Sequence, residues 1–552
     1  MIRKKFTFTL LLTLMTLLTV FALFALSGGF KTQTPTTDMT EATDTIGTID
    51  TIDTIDTIAT TASETTEEIQ TSIPLDPRNF KGFNLMSQIL VGEWVTTDAE
   101  EWAFKFMAEE GFNFARIPME VQRLYSDSEY TVWNDDALYE IDRIIALGQK
   151  YDIHILLDLH TLPGIRPGGV EPSDASFDAA ERLVIWKDIF YVLSRRYQEV
   201  PSDDLSYNLI NEPYQLETEA YMSDILEVRA VIREVDMTKR LFIDPNHWTG
   251  DALYALKNIE DPNIVASPHF YQPFLATHYL AEWVEGADQY PVPEYPSFNF
   301  NGYVYGNYHP ELHQPLVLKG DFSKGTQLTI RIHEVSAFAD FVVSTENEKL
   351  GGQTFMATDD NSFWKEVHYS EEWKIYQNVY DKDFSVTLTK DSKEVRMELL
   401  SGDWLSLSSV MIENPNWDEP LKIEARSMDW GVPKSDIEIT SNGTIDFTKN
   451  ENVINKDFLY EESFKQWRLF TEKTGIPVVG CEFGVYNKTS HEVSLRVIED
   501  HLSLFEESNF GFALWNLSGA FGIFDSDRKD VTYELYEGHK LDRKMLELLK
   551  KY

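Results

Sequence analysis

Short apolar runs and longer amphipathic segments alternate along the chain from about residue 74. The apolar runs, which predict buried strands, lie at 80–85, 112–117, 153–160, 205–210, 240–245 and 264–271. The segments between them repeat apolar residues every three or four positions, as Leu138, Ile141 and Ile145 do, and predict helices. Strands and helices that alternate in this way are typical of a parallel α/β fold.

The period changes to two between about residues 298 and 417. Leu328, Ile330 and Ile332 alternate with polar residues there, which predicts an inserted antiparallel β-sandwich. Beyond it the helical period returns, with further apolar runs at 476–484 and 511–517. Eight strands in total predict a (β/α)8 TIM barrel, an α/β fold, with an all-β sandwich inserted between strand 6 and strand 7.

The N-terminal region has a different composition from the rest of the chain. Arg3, Lys4 and Lys5 precede an uncharged apolar run, which predicts a signal peptide or N-terminal anchor over 1–29. Residues 30–73 are rich in Thr and Asp and predict a disordered linker. We therefore expect an exported bacterial protein, extracellular or tethered to the cell surface, with a membrane as partner only if the N-terminal segment stays uncleaved.

The predicted domain boundaries follow from these changes of pattern. The first part of the barrel spans 74–298, the inserted sandwich 299–417, and the second part of the barrel 418–552. Within the sandwich, Gly402-Asp403-Trp404 resembles a strand of galactose-binding-like sandwiches, the architecture of many carbohydrate-binding modules. We expect Trp404 to fill the core of this domain.

Charge and composition exclude several classes of function. The chain has 91 acidic and 48 basic residues, a formal net charge of −43, so a nucleic-acid partner is excluded and a neutral or cationic partner is favoured. No Gly-x-Gly-x-x-Gly follows a predicted strand, which argues against dinucleotide binding. The single cysteine, Cys481, excludes an intrachain disulfide framework. We expect Cys481 to be an apolar filler that points outward against the helices.

Two glutamates stand at the ends of predicted strands. Glu212 follows Asn211 and precedes Pro213 at the end of the fourth strand, and Glu482 ends the seventh. Because the carboxyl ends of barrel strands form the active face, both carboxyl groups are expected there. Paired carboxylates roughly 5–5.5 Å apart are characteristic of retaining glycosidases, in which one protonates the leaving oxygen and the other attacks the sugar.

The ordered set of strand-end residues resembles glycoside hydrolase family 5, the cellulase family, over both barrel segments but not the insert. The matching positions are Arg116, His160, Asn211, Glu212, His269, Tyr271, Glu482 and Trp515. The resemblance implies Glu212 as acid/base and Glu482 as nucleophile, with Arg116 keeping Glu482 ionised. It also implies that Asn211 binds the sugar 2-hydroxyl, so both Asn211 and Glu212 must reach the cleft and strict strand alternation must fail between them.

The remaining roles follow from the same resemblance. Tyr271 would donate a hydrogen bond to Glu482, His160 and His269 would bind or orient groups next to the scissile bond, and Trp515 would form the hydrophobic floor. No cofactor is expected, and no metal, because the histidines lack the clustered spacing of metal sites. Three aromatic residues of the active-face loops, Trp248, Trp283 and Tyr295, either stack on sugars or pack internally.

The function implied is a secreted retaining β-glycoside hydrolase, most simply a monomeric β-glucanase or cellulase acting on a β-linked glucan or related oligosaccharide. An exo-β-1,3-glucanase, a mannanase or a glucosylceramide-type hydrolase on the same barrel remains an alternative, because loop shape decides among them. A catalytically inactive carbohydrate-binding protein is the alternative from another class.

Overall fold

The computed structural model describes residues 75–92, 96–166, 169–170, 177–214, 216–247, 252–298, 300–427 and 430–552. The predicted signal or anchor segment and the predicted linker lie outside these residues. In the described part of the chain, none of the helices is both long enough and apolar enough to cross a membrane.

Eight parallel strands form the central sheet, in the order β7-β8-β1-β2-β3-β4-β5-β6. They are β1 Lys81–Asn84, β2 Phe114–Met119, β3 His154–Leu159, β4 Leu205–Asn208, β5 Arg240–Ile243, β6 Ile264–Ala266, β7 Val479–Gly480 and β8 Gly511–Leu514. A parallel bridge between Ala266 and Val478 joins β6 to β7. Beyond it, His269–Phe270 pairs in parallel with Glu482–Phe483, which closes the ring on the side of the strand ends. The predicted barrel is confirmed.

Helices follow most of the barrel strands. Their bounds are Gln88–Val91, Glu101–Glu110, Val121–Leu124, Asp135–Tyr151, Ala179–Arg196, Thr218–Val235, Phe274–Thr277, Lys456–Leu459, Lys465–Thr474, His491–Ser508 and Arg543–Lys551, with short 3₁₀ turns at Pro77–Asn79, Ala252–Asn258 and Ala287–Gln289 and a π turn at Tyr460–Phe464. The helix at Ala179–Arg196 opens with a capping box in which Asp178 and Glu181 satisfy each other's backbone N–H groups.

The helix Glu101–Glu110 has no such cap: Glu100 is its N-cap residue and its side chain makes no capping bond. The segment before this helix is held by Asp98 instead. The buried carboxylate of Asp98 accepts hydrogen bonds from the backbone N–H of Met86 (2.6 Å) and of Ser518 (2.8 Å). Asp98 therefore ties the loop after β1 to the loop after β8.

The interior of the barrel has an apolar lower layer and a polar upper layer. The lower layer consists of Phe80, Phe114, Leu156, Phe242, Val265, Val479, Cys481 and Ala513. The expectation that Cys481 points outward against the helices is wrong. Between the bridge of Val478 to Ala266 and the pairing of Glu482 with His269, three residues lie against two, which is a β-bulge. Alternation therefore fails, and Cys481 and its neighbour Glu482 are both buried inside the ring.

The residues between β6 and β7 contain two mainly antiparallel sheets around one apolar core. One sheet contains Phe300–Asn301, Leu421–Ser427, Trp404–Glu413, Gln327–Ser336, Ile375–Thr387 and Tyr369–Ser370, with Tyr303–Tyr305 paired to its Trp404–Glu413 strand; the other contains Lys349–Met356, Phe338–Thr345, Ser392–Gly402, Leu316–Phe322 and Ile437–Glu438. The strands thus continue beyond the expected boundary at residue 417, since Ile423 and Ile437 are buried in the same core. Trp404 is buried as well.

Candidate active site

Glu482 lies in the upper layer of the barrel, at the carboxyl end of β7. Its side chain is 7% exposed, and each of its two oxygens accepts a hydrogen bond. Arg116 donates to Oε1 (2.6 Å) and the Tyr271 hydroxyl donates to Oε2 (2.9 Å). Both partners are those that the sequence predicted.

Arg116 is completely buried and contacts residues from several strands. Besides Glu482, its guanidinium donates to Asn84 (3.0 Å), Asn208 (3.2 Å) and Asn211 (2.6 Å). It also lies 3.1 Å from Oδ1 of Asp158. The pKa of Arg116 is raised: burial opposes the charge, but the neighbouring carboxylates of Asp158 and Glu482 outweigh it. The cation therefore persists at any pH that the protein survives.

Glu212 reaches the same cleft from the end of β4. The strand ends at Asn208, two residues earlier than its apolar run, and Glu212 adopts a positive φ of 41°. Its backbone N–H donates to the carboxylate of Asp244 (3.1 Å), which holds this turn. Asn211 and Glu212 both face the cleft, as the bond from Arg116 to Asn211 and the contact between Glu212 and His269 show.

His269 stands between the two glutamates. Its Nδ1 is 2.7 Å from Oε1 of Glu212 and 3.6 Å from Oε2 of Glu482, and its Nε2 is 3.5 Å from Oδ2 of Asp244. One ligand atom each from Glu212, His269 and Glu482 all lie within 4.8 Å of one another. The two carboxyl groups and the imidazole therefore share one cleft.

Burial and neighbouring charges act in opposite directions on the pKa values of His269 and Glu482. Burial favours neutral His269, yet the carboxylates of Glu482, Glu212 and Asp244 raise its pKa to about 9. Burial likewise disfavours ionised Glu482, but the positive charges of His269 and Arg116 hold the pKa of Glu482 below its usual value. At neutral pH the site therefore contains an imidazolium beside an ionised Glu482.

The same three residues, Glu212, His269 and Glu482, are spaced closely enough to hold a metal ion. A histidine binds a metal through a deprotonated nitrogen. Nδ1 of His269 lies 2.7 Å from Oε1 of Glu212, a hydrogen-bond distance over which a proton can pass. We interpret the cluster as a proton-transfer group.

The other predicted site residues line the same cleft. His160 bonds to Asp158 through Nδ1 (2.8 Å), and its ring lies parallel to that of Trp515, with ring centres 5.6 Å apart. The Nδ2 donor of buried Asn211 has no acceptor among the described residues. It is therefore free to donate to a hydroxyl group of a bound sugar.

Four functional residues were missed by sequence reasoning: Asn84, Asp158, Asn208 and Asp244. Asp244 accepts from the backbone of Glu212, accepts from the Asn208 amide (2.9 Å) and faces His269. Burial raises the pKa of Asp244, partly offset by the charges of His269 and Arg116. Asn84 and Asn208 end barrel strands, Asp244 follows one and Asp158 is the penultimate residue of another, and these positions were the available signal.

The three candidate stacking residues differ in the structure. Trp248 lies outside the described residues. Tyr295 is buried and donates to Asp500 (2.6 Å), so it packs internally. Trp283 is 60% exposed.

The raised pKa of His269 predicts a pH-dependent contribution to stability. Because the folded protein binds this proton more tightly than the unfolded chain, whose histidine has a pKa of 6.5, the contribution is fully present below about pH 6.5 and is lost as the pH rises through about 9. Its size is on the order of 3 kcal/mol. Urea unfolding across this range should show a steeper loss of free energy of unfolding for the wild type than for His269→Asn. The exposed His247→Asn variant is the control, and equal losses in the wild type and His269→Asn would contradict the prediction.

Part of the chain is similar to known proteins. The family model described as Cellulase (glycosyl hydrolase family 5) matches residues 65–294. Endoglucanase C of Acetivibrio thermocellus is 31% identical over 213 residues, which cover 38% of this chain and 62% of that protein. Cellodextrinase A of Ruminococcus flavefaciens is 26% identical over 216 residues, covering 37% of this chain and 61% of that protein. The chain thus spans less than two thirds of the length of these relatives.

A solved structure shows the same fold. The crystal structure of a glycoside hydrolase superposes with a TM-score of 0.52 at 22% identity, covering 86% of this chain and 99% of that one. The family match lies in the first barrel segment and includes Arg116, Glu212 and His269, whereas Glu482 comes from the second segment and completes the site. Residues 65–294, which make up most of the first barrel segment, are therefore similar to glycoside hydrolase family 5.

Proposed function

We propose that the protein is a retaining β-glycoside hydrolase that cleaves β-glucan, as an endoglucanase or cellulase. The observation that carries the proposal is the approach of Glu212 and Glu482 to within 4.8 Å, with His269 in contact with both. The names of the relatives, an endoglucanase and a cellodextrinase, support a glucan as the substrate.

In the first step, Oε of ionised Glu482 attacks the anomeric carbon while Glu212 donates a proton to the glycosidic oxygen. The bond from carbon to the leaving oxygen breaks, an ester bond to Glu482 forms, and the released sugar departs as an alcohol. The lowered pKa of Glu482 keeps the nucleophile deprotonated before the attack. The hydrogen bond from Tyr271 holds its second oxygen in place.

In the second step, water replaces the leaving sugar. Glu212, now a carboxylate, takes a proton from the water, whose oxygen attacks the anomeric carbon and releases Glu482. The site is then restored with Glu212 protonated. His269 carries a proton 2.7 Å from Glu212, so it is placed to exchange protons with this acid between turnovers.

The remaining groups act on the transition state. The free amide donor of Asn211 is placed for the sugar 2-hydroxyl, a contact that strengthens as positive charge develops on the ring. The parallel rings of Trp515 and His160 offer a wall on which the sugar can rest. Arg116 fixes Asn211 and Glu482 at once, so the nucleophile and the hydroxyl-binding group keep one relative geometry.

Substitution of either glutamate should abolish most hydrolysis. Glu212→Gln removes the acid, and kcat should fall by roughly 10²–10⁴-fold on glucans with poor leaving groups. Glu482→Gln should be more severe because no covalent intermediate can form. Glu217→Gln, an exposed position before the next helix, is the matched control and should keep wild-type kcat.

Added azide distinguishes the acid/base residue from the nucleophile. In Glu482→Ala, azide should attack from the vacated side and yield a glycosyl azide of inverted configuration, whereas in Glu212→Ala it should intercept the covalent intermediate with retained configuration. If the two variants gave the opposite configurations, Glu212 would be the nucleophile and Glu482 the acid/base. Undiminished hydrolysis in both variants would refute the proposal.

The configuration and linkage of the products test the mechanism and the substrate separately. Proton NMR of the first product should show the β-anomer ahead of mutarotation, because two inversions restore the starting configuration. A panel of β-1,4-, β-1,3- and mixed-linkage glucans and mannan should show preference for a glucan. An initial α-anomer would exclude retention. Tight binding without hydrolysis of any member would instead identify a binding protein.

We also propose that the protein acts outside the cytoplasm. The basic residues at Arg3, Lys4 and Lys5 and the apolar run that follows them support export. After fractionation of expressing bacteria, the enzyme should be found in the medium or at the cell surface. Confinement to the cytoplasm would contradict this.

A further inference from the structure

Asp244 is a buried residue that directly follows β5 and forms no bond to the sugar in the two reaction steps proposed for Glu212 and Glu482. Its oxygen Oδ2 accepts a hydrogen bond from the backbone N–H of Glu212 (3.1 Å) and lies 3.5 Å from Nε2 of His269. One oxygen of Asp244 therefore faces both the backbone of the acid/base residue and the imidazole that contacts its side chain.

The hydrogen bonds of the Asp244 side chain show its charge state. Oδ1 accepts from the side-chain amide of Asn208 (2.9 Å), whose own oxygen accepts from Arg116 (3.2 Å). Oδ2 accepts from the N–H of Glu212. A protonated carboxyl group needs an acceptor for its hydrogen, whereas both oxygens here meet N–H donors. Asp244 is therefore ionised, although burial raises its pKa above the usual value.

The contact between Asp244 and His269 is electrostatic. Nε2 of His269 is buried and makes no hydrogen bond within the described part of the chain. Its distance of 3.5 Å from Oδ2 of Asp244 is too long for a good hydrogen bond. Coulomb attraction falls slowly with distance and does not require hydrogen-bond geometry. The negative charge of Asp244 therefore stabilises the proton on this nitrogen.

The charge of Asp244 stays constant during the proposed reaction, whereas the charges of the two glutamates change. Glu482 is ionised in the free enzyme and becomes an uncharged ester in the intermediate, while Glu212 is first a neutral acid and then a carboxylate. These two residues and Asp244 are the three carboxylates that raise the pKa of His269. Asp244 thus supplies the negative charge that faces His269 in every state of the cycle.

We propose that Asp244 is a positioning residue that extends the acid function of Glu212 to higher pH, through the backbone of Glu212 and the imidazolium of His269. This inference rests on the proposed function. Glu212 has a positive φ of 41°, which is strained for a residue other than glycine, and the bond from its N–H to Asp244 holds it there. A negative charge beside Glu212 and His269 raises the affinity of this pair for protons, so the pair loses protons only at higher pH.

Other charged and titratable groups also surround the pair. They are Arg116 from β2, Asp158 from β3, His160 directly after β3, Tyr214 after β4, Tyr271 after β6 and Glu482 after β7. Substitution of Asp244 by Asn leaves all of these groups in place. A change in the pH dependence of this variant therefore reports the charge of Asp244.

The first test separates the charge of Asp244 from its hydrogen bond. Asp244→Asn keeps an oxygen for the Glu212 N–H but removes the charge. The basic limb of the pH profile of kcat/KM for cellotetraose should then move down by about 1–3 pH units, because the pair holds its protons less tightly. Asp244→Ala also removes the acceptor and should lower kcat/KM at every pH. Asp236→Asn, which removes another buried carboxylate from the segment before β5, is the control and should leave the limb in place.

A second substrate distinguishes support of the acid from general structural damage. The leaving group of a dinitrophenyl β-cellobioside departs without protonation, so Asp244→Asn should keep the wild-type kcat/KM on this substrate. On cellotetraose, kcat/KM should fall about tenfold for each pH unit above the shifted limb. Equal losses on both substrates, or an unmoved limb, would overturn the proposal.

Nitrogen-15 NMR of His269 tests the same contact without turnover. In the wild type both ring nitrogens should be protonated at neutral pH, with a titration midpoint near the pKa of about 9, and Asp244→Asn should lower this midpoint by about 1–3 units. If neither variant folds, a protonated wild-type His269 at neutral pH supports the proposal and a neutral one contradicts it. Wild-type protein that hydrolyses no glucan would refute the proposed function, and the NMR midpoints would still show whether Asp244 acts on His269.

Discussion

The site depends on one buried cation. The guanidinium of Arg116 lies in the upper layer of the barrel and contacts side chains from β1, from the ends of β3 and β4, and from the end of β7. A buried charge is stable only when its hydrogen bonds and counter-charges are supplied in good geometry. Closure of the barrel brings these partners together around Arg116. The same arrangement of strands therefore pairs the charge of Arg116 and positions Glu482.

The groups around Arg116 form a second set of charges, and these groups can gain or lose protons. Asp244 holds the turn at Glu212 through its backbone and faces His269, which in turn contacts both glutamates. The charge of Glu482, with Glu212 and Asp244 nearby, raises the pKa of His269, and the positive charge of His269 helps to keep Glu482 ionised. The protonation of each member is therefore set by the others and not by burial alone.

Much of this arrangement could be predicted from the sequence, because strand ends in a barrel converge on one face. The apolar runs located the eight strands, and the polar residues within or directly after them located Arg116, Glu212 and Glu482. The direction of Cys481 could not be predicted, since a local break in pairing changes alternation without changing the pattern of residue types. Asp244 and Asn84 were missed because a single Asp or Asn after a strand resembles an ordinary loop residue, and only the ring geometry shows what it contacts.

The two ends of the long insertion lie side by side. Ser297–Phe298 pairs in antiparallel register with Val453–Ile454, so the chain leaves the barrel and returns to it through a two-stranded stem. A segment joined in this way imposes no separation on the strands that it interrupts. Recombination at such a stem can remove or exchange an entire β-domain while β6 and β7 remain neighbours, which offers a route by which one barrel site acquires additional domains during evolution.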